Sequence, residues 1–349
     1  MNQDDSRMVL SGEALAEVLR VHSAVVEDFL CAERIKPNVV GMGVGVKWTD
    51  GKPTGKPALV VMVTQKLAKN QLSEDDLIPQ RLKGIQTDVL TAGYPMAGGG
   101  RAADVKSQAL ARSVRPVKGG WSVGHYRITA GTIGTCVYDI LPGGKVSPPN
   151  SGIGIPSAYY ILSNNHILAN SNDANLGDPI LQPGPFDGGI DPTDRIAFLT
   201  RFVPITFEPQ TPRVLHNNVV DAAAAEGEFY NLDREIHWIG RVRGWRRKAD
   251  VKVGTMVQKT GRTTNYTVGR ITAVKATVDV GYGNGKMARF KDQIVTTNIS
   301  KAGDSGSLVT TLDNVAVGLL FAGSSQVTIV NQIENVRSLL RVEVAEQIL

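Results

Sequence analysis

The residues of this chain best suited to chemistry lie in the run KAGDSGSLV, residues 301–309, where Ser305 stands between Gly303 and Gly306 with Asp304 just before it. A serine hydroxyl is a poor nucleophile at neutral pH. It needs a base to take its proton and donors to hold the oxyanion that its attack creates. Gly303 can serve the second need: without a Cβ its backbone can turn so that its own N–H and that of Ser305 aim at one point. The first need is met most often by a histidine held by a carboxylate.

His166 follows the apolar run AYYILS at the point where alternation breaks into Asn164 and Asn165, so its ring can project from the end of a rigid element. Asp221 ends the apolar pair Val219 and Val220 and begins a run of alanines. A carboxylate so flanked is expected to be partly buried, which is costly unless it accepts hydrogen bonds or meets a cation. An imidazole N–H would supply that bond. The chain order is then His166, Asp221, Ser305, one of the known orders for an activated serine. Asp173, Asp178, Asp187, Asp191 and Asp194 are rivals for the carboxylate or for a calcium site, but they fall among Gly and Pro in a long loop and lack the EF-hand spacing. His125, within a strand, and His22, on a helical stripe with no second metal-type ligand beside it, read as structural.

Short Val/Ile/Thr-rich runs must position these groups. From Gly119 onward strands alternate with turns, with a second set beginning near VGTMVQKTGRTTNYTVGRI; a short helix, IENVRSLLRV, closes the chain. Before them lies a different unit, residues 1–96. It has an amphipathic helix over 12–32, a strand NVVGMGVGVKW with one nearly bare face, and strands from Ala58 and Ile85, with a short helix after Ser73. The GxGxG spacing in that first strand opens no helix, so a dinucleotide loop is rejected. Residues 97–116, rich in Gly, Ala and basic residues, read as a linker, either a processing site or an uncut tether with a short helix over 105–112. The domains expected are 1–96, the linker 97–116, a first barrel over 117–239 and a second over 240–349.

With 42% hydrophobic residues the chain can build more than one core, and 37 glycines and 17 prolines among short strands favour a mainly β protein. The formal charge of +5 is dispersed, WIGRVRGWRRKAD reads as an exposed connector, and no aromatic stacking pattern accompanies it, so no nucleic-acid partner is expected. No run is long and apolar enough to span a membrane and the start lacks a secretory pattern, so no membrane partner and a cytoplasmic location are expected. Two cysteines, Cys31 and Cys136, do not make a disulfide framework.

Four features in order, SNNHI, VVDAAAA, GRTTNYTVGRI and AGDSGSLV, make the chain from about 113 to 345 resemble the trypsin/chymotrypsin-like (S1-type) serine proteases. GDPILQPGPFDGG and the N-terminal NVVGMGVGVKW resemble the disulfide-poor bacterial and plant branch that includes the rice Narrow Leaf 1 protein. The resemblance implies a chymotrypsin-like double β-barrel behind a small N-terminal α/β domain, with the cleft between the barrels. It also implies roles: Ser305 as nucleophile, His166 as general base and then acid, Asp221 as its orienting carboxylate, and the Gly303 and Ser305 N–H groups as oxyanion hole. No metal or organic cofactor is implied. The partner implied is a protein or peptide substrate.

Departures from the family pattern raise questions for the structure. Ile167 and Lys301 stand where animal trypsins have cysteines, and Phe321 where they have a serine that supports the aspartate. Asp304 pairs with a freshly cut N-terminus in zymogen-type members, so here either the linker is cut or another cation serves. Counting back from the nucleophile puts Ile299 at the pocket base with Phe321, Ala322 and Gly323 as a wall, which implies an uncharged or apolar residue before the cut. The function expected is thus a serine endopeptidase whose N-terminal unit regulates it, aids its folding or mediates assembly, including into a homo-oligomer. The alternative is a catalytically weak protease-fold binding or scaffold protein.

Overall fold

The computed structural model describes residues 7–8, 10, 12–31, 36, 38–98, 110–128, 130–140 and 158–344. Helix α1 (Gly12–Phe29) buries Val18, Val21, His22, Val25 and Val26, one stripe at helical spacing, against β1 (Val39–Thr49) and β2 (Lys52–Val63). β3 (Ile85–Thr91) runs parallel to β2, and β4 is the short Met96–Ala97. The stretch after Ser73 forms a single 3-10 turn, Glu74–Asp76.

The first barrel contains β5 (Ser122–His125), β6 (Thr135–Asp139), β7 (Tyr159–Ser163), the short helix α2 (Asn165–Leu168), β8 (Pro179–Leu181), β9 (Arg195–Phe202) and β10 (Ala223–Gly227). The second contains β11 (Met256–Gly261), β12 (Asn265–Gly281), β13 (Met287–Thr297), β14 (Leu308–Thr311), β15 (Val315–Gly323) and β16 (Val327–Gln332). Helix α3 (Ile333–Leu340) and β17 (Val342–Glu343) follow.

In the first sheet the order is β17-β6-β7-β10-β9-β8-β5. The second runs β11-β14-β15-β16-β13-β12 and closes by pairing β11 with β12. Closure leaves no free edge within the barrel. Ala222 to Ala225 are all fully buried, and β10 is flanked by both β7 and β9, so the alanine run marks a strand hemmed in on every side. A shared apolar cluster, including Val137, Leu162, Ala222, Leu308, Leu319, Ile333 and Val336, joins the two barrels along the seam. The last strand, β17, returns to pair with β6 of the first barrel.

The N-terminal unit continues the second sheet, because β1 pairs antiparallel with β12. This accounts for the bare face read in VVGMGVGV. A Cβ on Gly41 would stand 2.5 Å from the Thr277 carbonyl oxygen, and one on Gly45 2.6 Å from that of Thr272. Met42, Val44 and Val46 on the other face fill the core beneath α1. The middle of the expected linker, with most of the helix expected over 105–112, lies outside the described residues. Its two described ends are packed: β4 pairs with β12 and β15, and Leu110 is buried with its carbonyl accepting from the Ser122 N–H.

Candidate functional site

Ser305, His166 and Asp221 converge on the seam. His166 is the second residue of α2, which follows β7, and Asp221 lies two residues before β10, the neighbour of β7. His166 Nδ1 is 2.6 Å from Asp221 Oδ2, and the His166 backbone N–H donates to Asp221 Oδ1 at 3.1 Å. Asp221 is fully buried. Its own backbone is tied on both sides: Asn164 Nδ2 donates to the Asp221 carbonyl at 2.7 Å, and the Asp221 N–H donates to Asn331 Oδ1 at 3.0 Å.

The missing hydroxyl at Phe321 is replaced from another direction. Tyr282, just past the end of β12, donates its hydroxyl to Asp221 Oδ2 at 2.8 Å. Its ring packs edge-on to His166 with centroids 5.9 Å apart and against Phe207 and Phe290. Burial first, and then the Asp221 charge, push the Tyr282 phenol well above its ordinary range, so the group remains an O–H donor.

The Ser305 turn is held from three directions. Gly303 and Gly306 have φ of +96° and +97°, the left-handed region that favours glycine, and a Cβ on Gly306 would overlap Ser163 and Thr132. Thr132 clamps the turn to the first barrel: its N–H donates to the Ser305 carbonyl at 2.8 Å and its hydroxyl to the Gly303 carbonyl at 2.8 Å. Asp304, fully buried, accepts from the N–H groups of Thr263, Thr264 and Lys301, from the Thr264 hydroxyl, and from Lys259 Nζ at 3.3 Å. Lys259 is therefore the cation for Asp304, supplied from β11 within the chain. Its burial pulls the ammonium below its usual range, an effect that Asp304 opposes.

Neither the Gly303 nor the Ser305 backbone N–H has a hydrogen-bond partner among the described residues. The Ser305 hydroxyl donates to the Phe321 carbonyl at 3.3 Å, and His166 Nε2 has no hydrogen-bond partner among the described residues. No hydrogen bond joins Ser305 to His166 in this structure.

Beside Ser305 lies a cavity of about 330 Å³ lined by Asn298, Ser300, Ala302, Ala322, Gly323 and Ser324, among others. Ala322 and Gly323 stand where the sequence places them. The Ile299 and Phe321 side chains do not line this cavity, which corrects their reading as pocket base and wall. Ile299, in the irregular stretch just past β13, is buried in the core of the second barrel with Val309 and Val317, while its neighbours Asn298 and Ser300 line the cavity. The Phe321 ring packs on Phe290 with centroids 4.7 Å apart, and only its backbone reaches the serine.

The rival acids have other partners. Asp178 meets His125, Asp187 meets Arg262 and Ser122, Asp191 meets Arg195, Asp173 meets Lys286, and Asp194 accepts from the Ile190 N–H. No group of three or more His, Cys, Asp or Glu among the described residues is placed to hold a metal ion. No helix among them is long and apolar enough to cross a membrane.

Two β-barrels packed along a seam, with the Ser305 turn in one and His166 and Asp221 in the other, make a chymotrypsin-like double β-barrel. Residues 14–90 match the family model described as the NARROW LEAF 1 N-terminal domain, so the N-terminal resemblance holds as well. Among solved structures, Thermobifida fusca Protease A is 15% identical, with a TM-score of 0.43 over 65% of this chain and 97% of that one. The Nocardiopsis protease is 18% identical, with a TM-score of 0.43 over 65% and 97%. Cellulomonas bogoriensis chymotrypsin is 18% identical, with a TM-score of 0.42 over 66% and 99%. At these values the likeness carries no argument about activity. No curated protein matches the chain.

Proposed function

We propose that the chain is a serine endopeptidase acting through His166, Asp221 and Ser305. The observation that carries the reading is the buried His166–Asp221 pair at 2.6 Å, facing a serine turn whose two flanking N–H groups are unpaired. Asp221 holds the imidazole with its Nδ1 protonated, so that Nε2 is free to accept the Ser305 proton. Ser305 Oγ attacks the scissile carbonyl, and the Gly303 and Ser305 N–H groups take up the oxyanion, each donor being worth about 10²–10³ in rate. His166 then gives the proton to the leaving amine, and water reverses the sequence on the acyl-enzyme. The cavity lining holds no carboxylate and includes Lys301, which disfavours a cation before the cut; a peptide with Arg or Lys there being the best substrate would contradict this.

A second reading, a protease-fold binding protein, draws support from the Ser305 hydroxyl bonding to Phe321 instead of His166. A fluorophosphonate probe separates the two. Labelling of the purified chain that disappears in Ser305→Ala and falls sharply in His166→Ala is the outcome expected of the protease, and absence of labelling over a wide pH range refutes it.

A further inference from the structure

The acyl side of the cleft is filled by the chain itself. β4 pairs antiparallel with the end of β15, Ala97 opposite Ala322 and Met96 opposite Gly323. On its other side Met96 pairs with Gly281, and the Gly281 N–H donates to the Pro95 carbonyl at 3.0 Å. Upstream, Ser324 Oγ donates to the Ala92 carbonyl at 2.6 Å. Ala97 is buried in the cluster that holds Phe207, Phe290 and Phe321. Met96 lines the cavity beside Ser305, whereas Ala97 and Gly98 line a second cavity together with His166 and Tyr282.

The direction of this segment matters. As the chain runs from 96 to 98, its partner strand runs from 323 towards 321, and Phe321 is the residue whose carbonyl the nucleophile contacts. Gly98 reaches the general base itself: a Cβ there would stand 3.4 Å from His166 Cδ2 and 3.8 Å from Nε2. An extended segment thus lies along the strand edge leading to Ser305 and ends against His166.

We propose that Pro95–Gly98 is a resident occupant of the acyl side of the cleft, and that substrates are extended peptide segments that enter by displacing it from the Ala322–Gly323 edge. The proposal rests on the protease reading for the word substrate, but the occupancy is testable without catalysis. A tethered occupant is present at an effective concentration of order millimolar. A free peptide at about 10 μM is therefore outcompeted roughly a hundredfold if the two bind alike.

Two measurements decide it. On a Ser305→Ala background, a fluorescent peptide of residues 92–98 is titrated against the chain with and without Ala97→Glu, which places a carboxylate in the apolar cluster and expels the segment. The expected result is at least tenfold tighter peptide binding in the Ala97→Glu chain. Equal affinity in the two chains, or no binding to either, overturns the proposal. With Ser305 intact, a peptidyl phosphonate should label Ala97→Glu at least tenfold faster than the parent, while a small fluorophosphonate changes less than about threefold. A peptidyl rate that does not rise also overturns it. If no phosphonate labels either chain, the protease reading fails and the peptide titration still judges the occupancy. Met96→Gly, which removes a contact without adding charge, replaces Ala97→Glu if circular dichroism shows that chain unfolded.

Discussion

Replacing Tyr282 with Phe removes one oxygen and leaves the ring packing on His166, Phe207 and Phe290 in place. That oxygen donates to a fully buried carboxylate at 2.8 Å. Hydrogen bonds to charged groups contribute about 1.5–3 kcal/mol. Asp221 keeps two other donors, the His166 Nδ1–H and backbone N–H, so the lower half of that range applies. If the bond matters most when His166 carries its proton, about 1.5–2 kcal/mol appears as a 10- to 30-fold fall in kcat. KM should stay within about twofold, because the phenol is directed at the aspartate and not at the cavity beside Ser305. Steady-state kinetics on a peptide substrate, with circular dichroism to show that the fold is intact, is the assay. A folded Tyr282→Phe chain with kcat within twofold of the parent refutes the argument that this hydroxyl positions the triad.

The same phenol makes stability pH-dependent. Its folded pKa is raised, so its contribution is fully present below the unfolded value of about 10 and is lost as pH rises beyond it. The stability gap between the parent and Tyr282→Phe in urea melts should therefore shrink above about pH 10; a constant gap would contradict this. Lys259→Met leaves Asp304 buried without its cation, and breaking such a pair costs about 3–5 kcal/mol. The expected outcome is a matching loss in urea melts and slowed fluorophosphonate labelling, and unchanged stability would refute Lys259 as the anchor of the turn. The Cys136 thiol is buried and its pKa is pushed up to about 12, chiefly by desolvation. Brief alkylation of the native chain at pH 8 should spare Cys136 and modify it only after denaturation, as read by peptide mass.

His166, Asp221 and Ser305 could be singled out because each stands in a distinctive local texture: a glycine-flanked serine, a histidine where a strand breaks, an acid before a buried alanine run. Tyr282 and Lys259 could not, for a common reason. Tyr282 stands in the Gly-rich turn GYGNG, far in sequence from Asp221, and Lys259 lies inside MVQKTG, where nothing nearby in sequence says that it will be fully buried. Both act across the fold, on residues brought to them by β-pairing and barrel closure. The pocket was misread at Ile299 because counting along the chain gives a position and not a face. Ile299 falls in the irregular stretch after β13, where its side chain turns into the barrel core, and the polar Asn298 and Ser300 line the cavity in its place. The continuity of β1 with β12 had only an indirect trace, the alternating glycines.

That continuity governs how the molecule can be divided. β12 is 17 residues long; it pairs with β11 and β13 in its barrel and with β1 and β4 outside it, and Tyr282 follows its last residue. A chain truncated to residues 117–349 would bare one flank of this strand from Ala273 to Val278, an apolar edge of unpaired amide and carbonyl groups. Such an edge is a template for joining another chain, so the excised barrels should aggregate where the full chain does not.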